Sequence, residues 1–124
     1  MMFQMSNREL EKALVQLDKI SENKTVLPVK VSYKIVKNII EIRRAVESYF
    51  ICKDKIIEKY SDGKGSLTES DDPESFKKAC SEIALIANEK VDVDISTIWI
   101  SEFGNGPLPF DMISALGFMI EDNT

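Results

Sequence analysis

Residues 33–60, YKIVKNIIEIRRAVESYFICKDKIIEKY, decide the fold. Within them Ile35, Ile39, Ile42, Val46, Tyr49, Ile56 and Tyr60 recur in alternating steps of four and three, broken only where Lys53 takes an apolar position. Such spacing lays one apolar stripe along a helix. A second set, Val36, Ile40, Phe50 and Ile57, widens the stripe beyond what a two-stranded seam uses. The stretch therefore reads as one helix over 33–60, ~42 Å long at 1.5 Å per residue, packed on more than one neighbour.

Working toward the N-terminus, Val26-Leu27-Pro28-Val29-Lys30-Val31 has the composition of a strand but contains a proline, which donates no ladder hydrogen bond. An extended lead-in over 26–31 is expected, with Ser32 as candidate cap. Further upstream, Ser6-Asn7-Arg8-Glu9 has the spacing of a capping box. It predicts a helix over 6–20 with Leu10, Ala13, Leu14, Leu17 and Ile20 on one face and Met5 against Leu10 as a hydrophobic staple.

Toward the C-terminus, Ser61-Asp62-Gly63-Lys64-Gly65-Ser66 ends the long helix and opens a polar loop. Asp72-Pro73-Glu74 then supplies a cap, a first-turn proline and a first-turn acid for a helix over 73–89. Its face is Phe76, Ala79, Cys80, Ile83, Ile86 and Ala87, and the loop is short enough for it to return antiparallel along the long helix. Val91-Asp92-Val93-Asp94-Ile95 alternates with period two, so 91–100 is a strand region. After a turn at Gly104-Asn105-Gly106-Pro107, Pro109 opens a last helix over 109–120. The expected class is α+β, mainly α, in a single domain spanning the 124 residues.

With 44% hydrophobic and 30% charged residues the chain has enough apolar matter to fold and is not of disordered composition. Its apolar runs fall far short of the ~20 residues needed to span a bilayer, and Met1–Met5 lacks the pattern of a secretory signal, so a cytosolic setting is expected. Cys52 and Cys80 fall on different helices and in that setting are reduced; small buried apolar residues are expected there rather than a disulfide.

The absent residues narrow the chemistry. There is no histidine, so a Ser-His-Asp or Cys-His site cannot be built from this chain alone, and the commonest zinc ligand is missing. Gly63-Lys64 is followed by Gly65 where a phosphate-binding loop needs Ser or Thr, and Glu58 stands where that loop begins with glycine. Counted from Asp62 as a calcium loop, Lys64 and Leu67 occupy the ligand and glycine positions. Asp92 and Asp94 share one strand face and could hold a hard cation, but two outward carboxylates are also what protects an edge strand from pairing. No metal and no cofactor are expected.

The net charge of −5 conceals a polarity. Lys30 to Lys59 carries eight bases and four acids, a balance of +4, whereas Ser66 onward carries twelve acids and three bases, a balance of −9. Lys30, Lys34, Lys37, Arg43 and Arg44 could form an anion-binding ridge or simply a solvated face. The interleaved acids and the anionic remainder argue against duplex nucleic acid. Tyr49 and Phe50 on the long helix, with Trp99 in the strand region, are the residues that hint at an interface, consistent with a homodimer.

Leu27-Pro28-Val29-Lys30, Tyr33-Lys34-Ile35, Lys59-Tyr60, Val91-Asp92-Val93-Asp94-Ile95 and Met119-Ile120 together resemble a group of small phage and prophage proteins of uncharacterised function. The resemblance spans about residues 27–122, and its motifs are structural rather than catalytic. It implies a phage-carried product acting in the cytoplasm of a host cell. The function expected is a non-enzymatic one: blocking a host protein, such as a defence or nucleic-acid-processing protein, through an acidic surface of Glu69, Asp71, Asp72, Glu74, Asp92 and Asp94. A virion or assembly component, and an oligomeric sponge for a nucleotide signal, are the alternatives.

Overall fold

The computed structural model describes residues 1–22, 27–104 and 110–122. In chain order they form β1 (Met2–Ser6), α1 (Asn7–Glu22), α2 (Val29–Tyr60), α3 (Pro73–Ala87), β2 (Lys90–Asp94) and β3 (Ile98–Trp99). A 3-10 turn (Ile100–Phe103), α4 (Phe110–Leu116), a second 3-10 turn (Gly117–Met119) and β4 (Ile120–Glu121) complete them. The fold is mainly helical with short strands, as its patterning predicted.

Helix α2 is unbroken and contains all of the decisive stretch. Val31, Ile35, Ile39, Ile42, Val46 and Tyr49 line its buried side, and α1 and α3 both pack on it. The start of α2 differs from expectation. Val29, Lys30 and Val31 are helical rather than extended, Pro28 precedes the first turn, and the Ser32 amide donates to the Pro28 carbonyl at 3.0 Å instead of Ser32 serving as a cap. A β-branched residue costs a helix only about 0.5 kcal/mol, whereas fully burying Val31 returns roughly 1.5–3 kcal/mol. Val31 is completely buried, so packing overrides local preference. Residue 26, the first of the expected lead-in, lies outside the described residues.

Helix α1 begins as its capping box requires: the Ser6 amide donates to the Glu9 carboxylate at 3.0 Å and the Glu9 amide to the Ser6 hydroxyl at 3.1 Å. Helix α3 begins as expected too, with the Ser75 amide donating to the Asp72 carboxylate at 3.1 Å and Pro73 in the first turn. Between them, the end of α2 turns through Asp62 and Gly63, both with positive φ, and the Gly63 amide donates to the Glu58 carbonyl at 3.1 Å.

Two features had no place in the expectation. Residues 2–6 form a strand that pairs antiparallel with β2, placing Phe3 opposite Val93 and Gln4 opposite Asp92. The chain end expected as helix to 120 instead leaves α4 at Leu116, and Ile120–Glu121 pair in parallel with Ile98–Trp99. Residues 105–107 of the expected turn, and Pro109, lie outside the described residues. One core joins α1, α2, β2 and the C-terminal segment, with Leu10, Leu17, Ile42, Ile95, Ile98, Leu116 and Met119 among its fully buried side chains. Cys52 and Cys80 are free, as expected, but exposed rather than buried, because each lies beside the buried stripe of its helix rather than in it.

Candidate interaction surface

The six acids expected to form one surface occupy two separate places. Glu69 and Asp71 stand exposed in the loop before α3, and among the described residues neither forms an ion pair. Asp72 caps α3, and the Ser75 backbone hydrogen bond holds its carboxyl below the ordinary aspartate value. Glu74 lies in the first turn and meets Lys78 at 3.5 Å on an exposed face. Asp92 and Asp94 follow the far end of α3, a helix whose 15 residues span ~22 Å. There Asp94 pairs with the amino group of Met1 at 3.2 Å, and β1 covers the strand edge that the two aspartates were expected to protect.

The expected cation ridge does not converge. Lys34 is drawn inward, its ammonium 2.6 Å from the Glu102 carboxylate and 2.9 Å from the Thr97 carbonyl. The Lys34 hydrogen bond, with a second from the Trp99 amide, holds the Glu102 carboxyl below its ordinary value. Arg43 meets Asp18 of α1 at 3.1 Å, and Arg44 meets Glu41 at 3.1 Å. Lys30 and Lys37 are exposed.

The aromatic interface residues also separate. Tyr49 is buried rather than presented to a partner, because it continues the core stripe of α2. Its hydroxyl donates to Glu11 at 3.1 Å, and Lys53 donates to the other Glu11 oxygen at 2.7 Å. Burial and the Glu11 charge push the Tyr49 hydroxyl above its ordinary value. Burial alone would lower Lys53, but the Glu11 hydrogen bond and charge outweigh it and raise it. Phe50 is half-buried beside Tyr49, ring centroids 5.5 Å apart, and Trp99 is 41% exposed on β3. Trp99 sits at the Lys34 end of α2 through Glu102, some 16 residues or ~24 Å along the helix from Phe50.

What the sequence reading passed over is the outer side of α2. Val29, Tyr33, Val36, Ile40 and Ile51 are all large, apolar or aromatic, and about half exposed or more. They stand opposite the buried stripe. The pairing of Val36 with Ile40 in the second apolar set was the signal for this face, although that set also contains Phe50 and Ile57, which turn partly inward. Beside it, a groove of about 700 Å³ runs between α1 and α2, lined in part by Leu14, Val15, Phe50 and Ile51.

Among the described residues no three carboxylates or thiols gather as a metal site would require, and no helix is long and apolar enough to cross a membrane. Comparison of this chain with protein-family models, with curated proteins and with solved structures finds no match.

Proposed function

We propose that this is a non-enzymatic binding protein that captures a partner protein through its acidic loop, in the manner of a phage or prophage product that blocks a host defence or nucleic-acid-processing protein in the host cytoplasm. The observation that carries the reading is the exposure of Glu69 and Asp71, without ion pairs among the described residues, in a chain whose −9 segment begins at Ser66. Unpaired surface acids on an exposed loop raise the rate and selectivity of encounter with a basic groove. Asp72 and Glu74 extend the same field into the first turn of α3. Asp92 and Asp94 lie too far off to share it.

The reading takes α3 to return antiparallel along α2, which holds the loop at one end of the molecule, and takes the protein to act as a dimer. The nucleotide-sponge alternative loses support, since Lys34, Arg43 and Arg44 are each paired within the chain.

The test is capture from bacterial lysate by the full chain and by a Glu69→Lys/Asp71→Lys variant, followed by binding of the captured protein at rising salt. Capture lost in the variant and weakened by salt supports the acidic loop. Capture indifferent to both would remove it.

A further inference from the structure

Where the start of α1, the body of α2 and the end of α3 meet, a recess of about 200 Å³ opens to the surface. Ala45 and Ile86 give it an apolar wall, and Asn7, Ser48, Cys52 and Glu89 line the rest. Ser48 and Cys52 stand one turn apart on the same side of α2, and both are exposed. Asn7 is only 6% exposed and is held from two sides. Its backbone amide donates to the Glu89 carbonyl at 3.0 Å, and its Nδ2 donates to the Ile86 carbonyl at 2.9 Å. Its Oδ1 is buried and has no hydrogen-bond partner. Folded proteins leave few buried polar atoms in that condition, and an acceptor of this kind calls for a donor. The Glu89 carboxylate is exposed and forms no ion pair among the described residues. Lys90 stands on the opposite face of β2 from Val91, which lines the recess. An amide oxygen, a carboxylate and a hydroxyl therefore surround a free thiol.

We propose that Cys52 is a modification site for small aminothiols, which it holds as a mixed disulfide with their ammonium group seated in this recess. An ammonium carries three N–H donors and no acceptor, which suits a recess whose free polar groups at Asn7 and Glu89 are acceptors. The methylene stem lies on Ala45 and Ile86. The recess has the volume of roughly six waters, enough for an aminoethyl group and too little for a large peptide thiol to enter whole. The step is thiol–disulfide exchange with a small disulfide of that class as co-reactant. The Cys52 thiolate attacks one sulfur of the disulfide, the new sulfur–sulfur bond forms as the old one breaks, and the departing thiolate takes up the proton that Cys52 gave away. Cys52 is oxidised and one half of the disulfide is reduced to thiol. Cys80 is equally free and exposed but does not line the recess, so it serves as an internal reference. The site stands apart from the acidic loop and holds whatever that loop captures.

The experiment equilibrates the full chain with a mixture of cystamine and cysteamine and reads the adduct at each cysteine by peptide mass spectrometry. A parallel sample uses bis(2-hydroxyethyl) disulfide and its thiol, which match the aminothiol in length and lack its charge. With cystamine the adduct at Cys52 is expected to be favoured over that at Cys80 by about tenfold, the worth of one charge-assisted hydrogen bond at a partly exposed site. With the uncharged disulfide the preference should fall to about threefold or less, and in urea it should vanish with either. Glu89→Gln removes the exposed carboxylate and should lower the cystamine preference to about threefold while leaving the uncharged one where it was. Ser48→Phe fills the recess without touching the thiol and should bring Cys52 to the level of Cys80, with thermal unfolding as the control on the fold. Equal modification of Cys52 and Cys80 by cystamine in the folded chain would overturn the proposal, as would an adduct at neither. A preference that is the same for both disulfides, or that Glu89→Gln does not move, would overturn it as well. These adducts are read without any captured protein, so they succeed or fail separately from the acidic-loop reading.

Discussion

The side-chain amide of Asn38, fully buried in the first third of α2, pairs with the backbone of Ser96 as one strand pairs with another. Its oxygen accepts from the Ser96 amide at 2.7 Å and its nitrogen donates to the Ser96 carbonyl at 3.0 Å. The turn between β2 and β3 would otherwise bury two unsatisfied peptide groups against an apolar helix. Asn38 meets both and so seats Ile95 and Ile98, each completely buried, on either side of it.

Replacing Asn38 by Leu should therefore destabilise the protein by about 2 kcal/mol, since both Ser96 groups lose their partner while remaining partly shielded from water. Asn38→Asp should cost at least as much at neutral pH and less in acid, because the added carboxylate is repelled by the Ser96 carbonyl until it is protonated. Urea unfolding of both variants at two pH values measures this. Equal stability of wild type and Asn38→Leu would contradict it.

The lock between Lys34 and Glu102 predicts acid sensitivity. The folded-state carboxyl of Glu102 lies below its ordinary value of 4.5, so its contribution is fully present above that pH and is lost as pH falls through the folded value. Glu102→Gln should flatten the loss of stability in acid and cost about 2 kcal/mol at pH 7, the worth of a charge-assisted hydrogen bond at a site largely withdrawn from water.

An alkaline transition is expected at the Tyr49, Glu11 and Lys53 cluster. Both Tyr49 and Lys53 ionise above their ordinary values of 10.0 and 10.5 when folded. The stability each contributes is present below those values and is lost as pH rises past them. Glu11→Gln should bring the Tyr49 transition, followed by ultraviolet absorbance, down toward 10.0 without reaching it, because burial remains. An unmoved transition would mean that Glu11 does not act on Tyr49.

The ring of Phe3 in β1 meets that of Phe118 edge to face, centroids 6.2 Å apart and planes at 90°. A double-mutant cycle with Phe3→Leu and Phe118→Leu should return a coupling of about 1 kcal/mol. Zero coupling would mean that the two rings contribute only through their separate burial in the core.

Removing Asp72 as a cap with Asp72→Ala should weaken the start of α3 and lower the midpoint of thermal unfolding. That expectation could have been given without coordinates, and it marks how far the sequence reaches. The capping box at Ser6 and Glu9, the start of α3 at Asp72 and Pro73, and the unbroken α2 were all legible, because each is set by interactions within a few residues of the chain. The period-two pattern of β2 was legible for the same reason.

What the sequence left undecided depends on groups that meet across long separations. Residues 2–6 form a strand only because β2, about ninety positions away, offers its edge, and Val29–Val31 are helical only because the core receives Val31. The candidate surface divides in the same way. The acids and cations could be named from composition, but which of them are free followed from packing: α1 carries Asp18 to Arg43, the 3-10 turn carries Glu102 to Lys34, and β1 covers the edge beside Asp92 and Asp94. A charge is available to a partner only when no neighbour in space has already satisfied it, and spatial neighbours are set by tertiary structure.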